Sequence, residues 1–245
     1  MNQEIFARLA KRLEADQLTA LVSVVGGPGL GNQRLVQPGS QSHGTLGSPS
    51  LDREADLLAT EAFRSFSSSR RIISALEPDV AATDLFCEVH PPAFKLVLVG
   101  AVHVAIHLAR FAKELGFRTT VIDPRTAFAT AERFSHVDEL VTRWPQEDLE
   151  DRKLDEGTYV ATLAHDPKID LPALEAALRS TARYIGALGS KKTHAKRVDT
   201  LRERGFSKDD IARIHAPIGL DLGGRRAEEI ALAVMAQIVS VSHGK

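Results

Sequence analysis

The segment that most constrains the fold is LVLVGAVHVAIHLARFAKELGFRTTVID, residues 96–123. An apolar run leads into Gly100, a helical pattern follows, and a second apolar run ends at Asp123. A strand, a tight turn, a helix and a second strand in this order are typical of the opening unit of a dinucleotide-binding fold. The three glycine positions of the G-x-G-x-x-G motif hold Gly100, Val102 and Ala105. The pattern predicts the fold strongly, but Val102 stands where a pyrophosphate would need room.

The chain beyond this segment continues to alternate between strand-like and helical patterns. Apolar runs separated by segments long enough for helical crossovers predict a mostly parallel sheet with helices on both faces. The C-terminal half is therefore predicted to be an α/β domain with a Rossmann-like, doubly wound parallel sheet. The predicted strands are residues 95–99, 119–122, 137–141, 158–164 and 183–188.

The N-terminal part has a different pattern and is predicted to be a smaller α+β domain. Helices are expected at 4–13 and 51–66, and a strand at 19–25. The stretch 26–50, rich in Gly, Ser and Pro, predicts turns and short strands, and two more strands are expected in RIISALEP and DLFCEVHPP. Pro91 and Pro92 interrupt any continuing element, so the domains are predicted to be residues 1–92 and 93–245.

Composition excludes several classes of function. The 31 Lys and Arg against 32 Asp and Glu leave a net charge of −1, which argues against nucleic acid as a ligand. No run of eighteen apolar residues occurs, so no membrane span is expected. The single cysteine, Cys87, cannot pair within the chain, and a reducing cytoplasm is the expected compartment.

Polar residues that follow predicted strands are candidates for a site, because ligands of open α/β sheets collect at the carboxyl ends of the strands. Asp123 could receive a ribose hydroxyl, or it could be a turn residue ahead of Pro124. His165 and Asp166 follow the strand TYVATLA. They could act as an acid or base, or simply cap the next helix.

The segment Gly189, Ser190, Lys191, Lys192 suits an anion such as phosphate, because a helix start exposes N–H groups and the lysines add positive charge. The alternative is ordinary capping by Ser190 beside a solvated basic face. The segment HAPIGLDLGG at 215–224 is a third strand-end candidate. His103 and His107 are one helical turn apart, but no third ligand lies near them in the sequence, and the later histidines show no metal-ligand spacing, so no metal site is predicted.

Four blocks together resemble the XdhC/CoxI family of accessory proteins for molybdenum hydroxylases: VGAVHVAIHLARFAKELGF, VIDPRTAFATAERF, ARYIGALGSKKTHAKRVDTLRERGF and HAPIGLDLGGRRAEEIALAVMAQI. The N-terminal part matches more loosely, through GTLGSPSLDREA. The resemblance implies a two-domain protein that binds the molybdenum cofactor, as molybdopterin or its dinucleotide form. It also implies that the protein protects the cofactor through sulfuration and delivers it to an apo molybdenum hydroxylase of the xanthine or carbon monoxide dehydrogenase type.

The strand ends and the matching blocks together give a set of candidate cofactor-binding residues, with no catalytic residue assigned. The set favours a cofactor-binding chaperone over a catalyst. A homodimer is a further expectation from the resemblance, while the client enzyme is left open. The candidate residues are Gly100, His103, Asp123, Arg125, His165, Asp166, Gly189, Ser190, Lys191, Lys192, Gly219 and Asp221.

Two departures from the family pattern keep alternatives open. Val102 replaces the middle glycine of the family's GAGHV loop, and Ser50 stands where the family carries a cysteine. A serine oxygen cannot replace a thiolate as a soft ligand or sulfur carrier, which puts any cysteine-dependent step in doubt. The alternatives are an NAD(P)-dependent oxidoreductase, supported by Gly100, Ala105 and Asp123, and an interaction protein of the same fold that has lost its ligand.

Overall fold

The computed structural model describes residues 3–74 and 82–244. The chain divides into two compact units, one formed by Met1–Pro92 with Ser242–Lys245 and the other by Ala93–Val241. The last residues of the predicted strand RIISALEP lie outside the described part of the chain. No helix in the described residues is both long and apolar enough to span a bilayer.

The first unit is an antiparallel sheet with a helix on each face. Its sheet has the order β3-β2-β1-β5-β4. Apolar residues of α2 pack on one face, while Ile5 and Leu9 of α1 meet Leu21 and Leu35 on the other. This confirms the predicted α+β class. The elements are α1 (Gln3–Glu14), β1 (Thr19–Gly26), β2 (Gln33–Val36), β3 (His43–Gly44), α2 (Pro49–Ser65), β4 (Ser69–Ile73) and β5 (Thr83–His90).

The second unit mostly alternates strands and helices along the chain, as its sequence predicts, but residues 123–138 connect two strands through turns rather than a helix, and two helices follow one another at 191–212. Its strands are paired in parallel throughout the described sheet. The elements are β6 (Lys95–Val99), α3 (His103–Glu114), β7 (Arg118–Ile122), β8 (Glu139–Val141), α4 (Pro145–Asp151), β9 (Thr158–Thr162), α5 (Pro167–Leu178), β10 (Tyr184–Ala187), α6 (Lys191–Glu203), α7 (Lys208–Ala212), β11 (Ile214–His215) and α8 (Ala227–Ser242).

The sheet of the second unit has the order β11-β10-β9-β6-β7-β8, which is the doubly wound order of a Rossmann fold. Neighbouring residues of one strand face opposite sides. Leu96 and Leu98 of β6 accordingly pack with α3 and α8, while Val97 and Val99 pack with α5, α6 and α7. Both faces are buried, which explains why the strands are continuous apolar runs rather than alternating ones.

Candidate functional site

The candidate site lies where the strand order reverses, between β6 and β9. These strands are neighbours in the sheet, although α3, β7, β8 and α4 separate them along the chain. The loops after β6 and β9 therefore leave the sheet side by side. In open α/β sheets this crevice is where ligands bind.

Gly100 opens the loop after β6 and is required there by close packing. Its φ of +112° is a backbone conformation that L side chains rarely adopt. A Cβ at this position would lie 2.6 Å from the backbone nitrogen of Ala164 in the loop after β9. The glycine thus brings the two loops of the crevice together.

Val102 is the N-cap residue of α3, with ordinary extended backbone (φ −89°) and no side-chain cap hydrogen bond. Its side chain packs against the core cluster beneath α3. The backbone here does not require glycine, so valine fits without strain. The capping positions of α3 carry no hydroxyl or carboxylate, and His103, its first residue, is exposed.

Asp123 is fully buried at the end of β7, and its carboxylate is occupied by groups of the chain itself. Its oxygens accept the N–H of Ala101 at 2.7 Å, the N–H of Arg125 at 2.9 Å, and two bonds from the Arg125 guanidinium at 2.9 and 2.8 Å. Burial alone would raise the pKa of Asp123, but these donors outweigh it and lower the pKa. A ribose hydroxyl would have to displace Arg125 to reach this carboxylate.

Arg125 links this turn to the loop after β9 through charge. Its guanidinium lies over the ring of Phe128, 4.6 Å from the centroid. The hydrogen bond to Asp123 raises the pKa of Arg125, and the charges of Asp166 and Asp170 contribute in the same direction. Both sides of the crevice are therefore electrostatically coupled.

His165 has an unusual backbone conformation, and its neighbour Asp166 has a structural role. The φ of His165 is +57°, a left-handed conformation that is uncommon outside glycine and clusters at functional positions. Its side chain is exposed. Asp166 is the N-cap of α5 and accepts the N–H of Lys168 at 2.9 Å.

A cavity of about 280 Å³ lies beside His165, between α5 and α6. It is next to the crevice between β6 and β9 rather than within it, because its described lining includes no residue of the loop after β6. It contains two of the predicted residues, His165 and Lys192, together with side chains that the sequence did not single out. Three of the lining groups carry positive charge and one, Asp170, is acidic. The lining residues are His165, Pro167, Asp170, Leu171, Lys192, Thr193, Lys196, Arg197 and Thr200.

The start of α6 supplies one wall of this cavity. Gly189 has a φ of +142° and turns the chain out of β10. Ser190 is the N-cap, and its hydroxyl accepts the N–H of Thr193 at 3.1 Å. Lys191 and Lys192 are both exposed, and of these two only Lys192 is among the residues that line the cavity.

Two predicted positions lie elsewhere on the same edge of the sheet. Gly219 and Asp221 belong to the loop after β11, the outermost strand. The N–H of Gly219 donates to the side chain of Gln237 at 2.8 Å, and Asp221 is exposed. The residues that line the cavity do not include this loop.

Asp170 and Arg197 are two buried charged residues of the cavity that sequence reasoning missed. Their side chains are 2% and 6% exposed. Asp170 accepts the N–H groups of Ala164, at 3.2 Å, and of His165, which holds the loop after β9 in place. Burial raises the pKa of Asp170 to about 6, in spite of Arg197. The sequence carries no local signal for this pair, because the two residues lie on different helices.

The remaining residues with metal-binding or thiol chemistry, and Ser50, lie outside the cavity. In the described part of the chain no group of three or more His, Cys, Asp or Glu side chains could hold a metal ion. Cys87 is fully buried in β5, and burial raises its pKa to about 11. Ser50 lies in the first turn of α2, whose N-cap is Ser48, and Asp52 accepts the N–H of Leu46 at 2.7 Å.

The strand order and the glycine turn define a Rossmann-type domain, and the cavity at the carboxyl edge of its sheet is lined by three cationic side chains. The model of the XdhC Rossmann domain family matches residues 96–238, well over half of the chain. The chain belongs to this family.

Curated relatives and a solved structure agree with this placement. The chain is 31% identical over 150 residues to the molybdenum cofactor insertion chaperone PaoD of Escherichia coli, covering 61% of this chain and 41% of PaoD. It is 29% identical over 157 residues to a probable xanthine dehydrogenase subunit of Bacillus subtilis, covering 64% of this chain and 46% of that protein. The chain thus spans less than half the length of these relatives.

The solved structure is that of a xanthine dehydrogenase from Bacillus halodurans. It matches with a TM-score of 0.63 and 24% identity, over 96% of this chain and 65% of that one. At this identity the likeness shows a shared fold.

Proposed function

We propose that this protein is a maturation factor that binds the molybdenum cofactor and assists its delivery to a molybdenum hydroxylase in the cytoplasm. The observation that carries the proposal is the cavity beside β9 and β10, with its cationic lining, in a chain of the XdhC family. The name of the Escherichia coli relative, a molybdenum cofactor insertion chaperone, supports the same interpretation.

The residues of the cavity fit the anionic end of such a cofactor. Molybdopterin carries a phosphate, and its dinucleotide form a pyrophosphate, while the metal centre supplies the redox chemistry of the client enzyme. Lys192, Lys196 and Arg197 would hold the phosphate. The volume of about 280 Å³ lies at the lower end of small-molecule sites, roughly 300–1,000 Å³, so the cavity suits a phosphorylated part of the cofactor rather than a whole dinucleotide.

Equilibrium binding under anaerobic conditions tests the proposal. Purified molybdopterin and its cytosine dinucleotide should each be titrated into the protein, and at least one should bind saturably with a 1:1 stoichiometry. The absence of saturable binding by both, together with normal hydroxylase activity in a strain that lacks this protein, would contradict the proposal.

A parallel titration separates this function from that of an NAD(P)-dependent oxidoreductase. We expect no saturable binding of NAD(H) or NADP(H) at millimolar concentration, because Asp123 already accepts four hydrogen bonds from Ala101 and Arg125. Tight binding of either cofactor would favour the oxidoreductase instead.

A further inference from the structure

The cavity between α5 and α6 contains a buried guanidinium whose hydrogen-bonding capacity is only partly used. Arg197 donates from Nη2 to the carbonyl oxygen of Leu188 at 3.2 Å. The same nitrogen lies 3.8 Å from Oδ2 of Asp170, too far for a hydrogen bond. Nη1 is buried and has no hydrogen-bond partner among the described residues.

An unsatisfied buried donor on a charged group is costly, and native structures rarely retain one without a reason. Burial lowers the pKa of Arg197, and the attraction of Asp170 opposes that shift without removing it. The carboxylate of Asp170 lies near the guanidinium without a hydrogen bond to it, so it leaves Nη1 unpaired. An additional anion within the cavity that Arg197 lines would stabilise the guanidinium charge, and a small rotation of the guanidinium would let Nη1 donate to it.

The other charged groups of the cavity favour a dianion over a monoanion. Lys192 and Lys196 line the same wall as Arg197, which gives three cationic groups against the single carboxylate of Asp170. Thr193 and Thr200 also line the cavity, but the Thr200 hydroxyl already donates to the carbonyl oxygen of Lys196 at 3.1 Å and the Thr193 hydroxyl lies 3.0 Å from that of Ser190, so the cationic groups are the donors. A phosphate group has several acceptor oxygens, which matches this set of donors.

We infer that Arg197 is the anchor of a phosphate-binding site in this cavity, with its guanidinium turning so that Nη1 donates to a phosphate oxygen, and with Lys192 and Lys196 neutralising the remaining charge. The ligand class is a phosphate monoester or the terminal phosphate of a diphosphate. The inference deepens the proposed function and rests on it only for the identity of the complete ligand, because the phosphate site can be tested by itself.

Titration calorimetry with inorganic phosphate, and with sulfate as a second probe, tests the site in the full chain at low ionic strength. We expect the wild type to bind one phosphate. Arg197→Gln should weaken binding roughly tenfold or more, because a charge-assisted hydrogen bond is lost. Lys196→Gln should weaken it by a smaller factor, while Arg202→Gln, the same charge change at an exposed position of α6, should leave the affinity within about twofold.

Arg197→Lys keeps the positive charge but removes the planar guanidinium with its several N–H donors. This variant tests whether Arg197 binds phosphate even if Arg197→Gln fails to fold. It should still weaken phosphate binding by several-fold, with an unfolding midpoint close to that of the wild type. The inference is overturned if the wild type binds no phosphate, or if Arg197→Lys and Lys196→Gln bind it as tightly as Arg202→Gln does.

Molybdopterin binding to the same variants separates this inference from the proposed function. The protein could bind phosphate through Arg197 and yet not bind molybdopterin. That result would contradict the proposed function and support the phosphate site. Saturable molybdopterin binding with equal affinity in the wild type and in Arg197→Lys would support the proposed function and contradict a role of Arg197 in holding the cofactor.

Discussion

Single residues at the crevice are constrained by packing as much as by ligand chemistry. Gly100 is needed because the loop after β9 passes within contact distance of where its Cβ would be. Asp123 is needed because it accepts the N–H groups of both neighbouring turns. Gly100 and Asp123, which the dinucleotide-binding motif places next to a nucleotide, therefore stabilise the loops at the carboxyl edge of the sheet.

Gly100→Ala is expected to lower the free energy of unfolding of the second unit by roughly 3 kcal/mol, since a left-handed backbone is combined with a backbone clash at 2.6 Å. Urea unfolding followed by the fluorescence of Trp144 measures the change. Gly116→Ala is the matched control, because Gly116 has a similar positive φ of +80° but open space around it. It should cost about 1 kcal/mol, and equal costs at the two sites would contradict the packing role of Gly100.

Asp170 is expected to make stability depend on pH. Its pKa is raised from 3.8 in the unfolded chain to about 6 in the fold, so the folded state binds the proton more tightly. Stability is therefore lost, not gained, as the pH rises through this window. The free energy of unfolding of the wild type, relative to that of Asp170→Asn, should fall by about 2 kcal/mol between pH 4.5 and pH 7.

Urea unfolding of both proteins at a series of pH values measures this difference. The two chains share every other titratable group, so their difference isolates Asp170. A difference that is constant over the range, or that grows with pH, would contradict the assignment of a raised pKa to this carboxyl.

At the scale of elements, the carboxyl ends of neighbouring strands are held together by short polar links. Asp123, at the end of β7, accepts the N–H of Ala101 in the loop after β6. Asp170 of α5 accepts the N–H of Ala164 in the loop after β9, and Arg197 of α6 donates to Leu188 after β10. The helices thereby position the loops that form the crevice.

Asp123→Asn tests the first of these links. One acceptor oxygen becomes an NH₂ group that faces a backbone N–H or the Arg125 guanidinium, so we expect a loss of roughly 2–3 kcal/mol in the free energy of unfolding. The same substitution at exposed Asp221 should change it by less than about 0.5 kcal/mol. Both are measured by urea unfolding, and a neutral Asp123→Asn would show that the link is dispensable.

The whole molecule consists of two units that each have their own buried core. Two apolar clusters lie within the first unit, around α2 and α1, and two lie on the faces of the parallel sheet of the second. A unit with its own core can unfold as a cooperative block. The sole cysteine, Cys87, belongs to the first unit and the sole tryptophan, Trp144, to the second.

We expect the two units to unfold in separable transitions. Cys87 is fully buried, so its reaction with a thiol reagent reports unfolding of the first unit, while Trp144 fluorescence reports the second. Gly100→Ala should shift the fluorescence transition in urea and leave the thiol transition where it is in the wild type. Equal shifts of both transitions would mean that the units unfold as one.

Elements with a strong periodic pattern are predictable from this sequence, and the short ones are not. Five strands of the parallel sheet, β6 to β10, follow from continuous apolar runs, since both faces of the sheet are buried, and helix α3 follows from a helical stripe. α4 and the two-residue strand β11 leave no comparable pattern in so few residues. The lining of the cavity could be predicted only in part. His165 and Lys192 lie close to strand ends, whereas Asp170 and Arg197 lie one turn or more into their helices.

The sequence by itself determined the fold class and the family, because these depend on apolar periodicity and on the order of local motifs, and it predicts the carboxyl edge of the sheet as the place of a ligand. Only the tertiary structure decided which charges meet. Asp170 and Arg197 are 27 positions apart, and their pairing, burial and unsatisfied nitrogen arise only when α5 and α6 pack side by side. Desolvation depends on what surrounds a group in space, and a linear pattern does not contain that information.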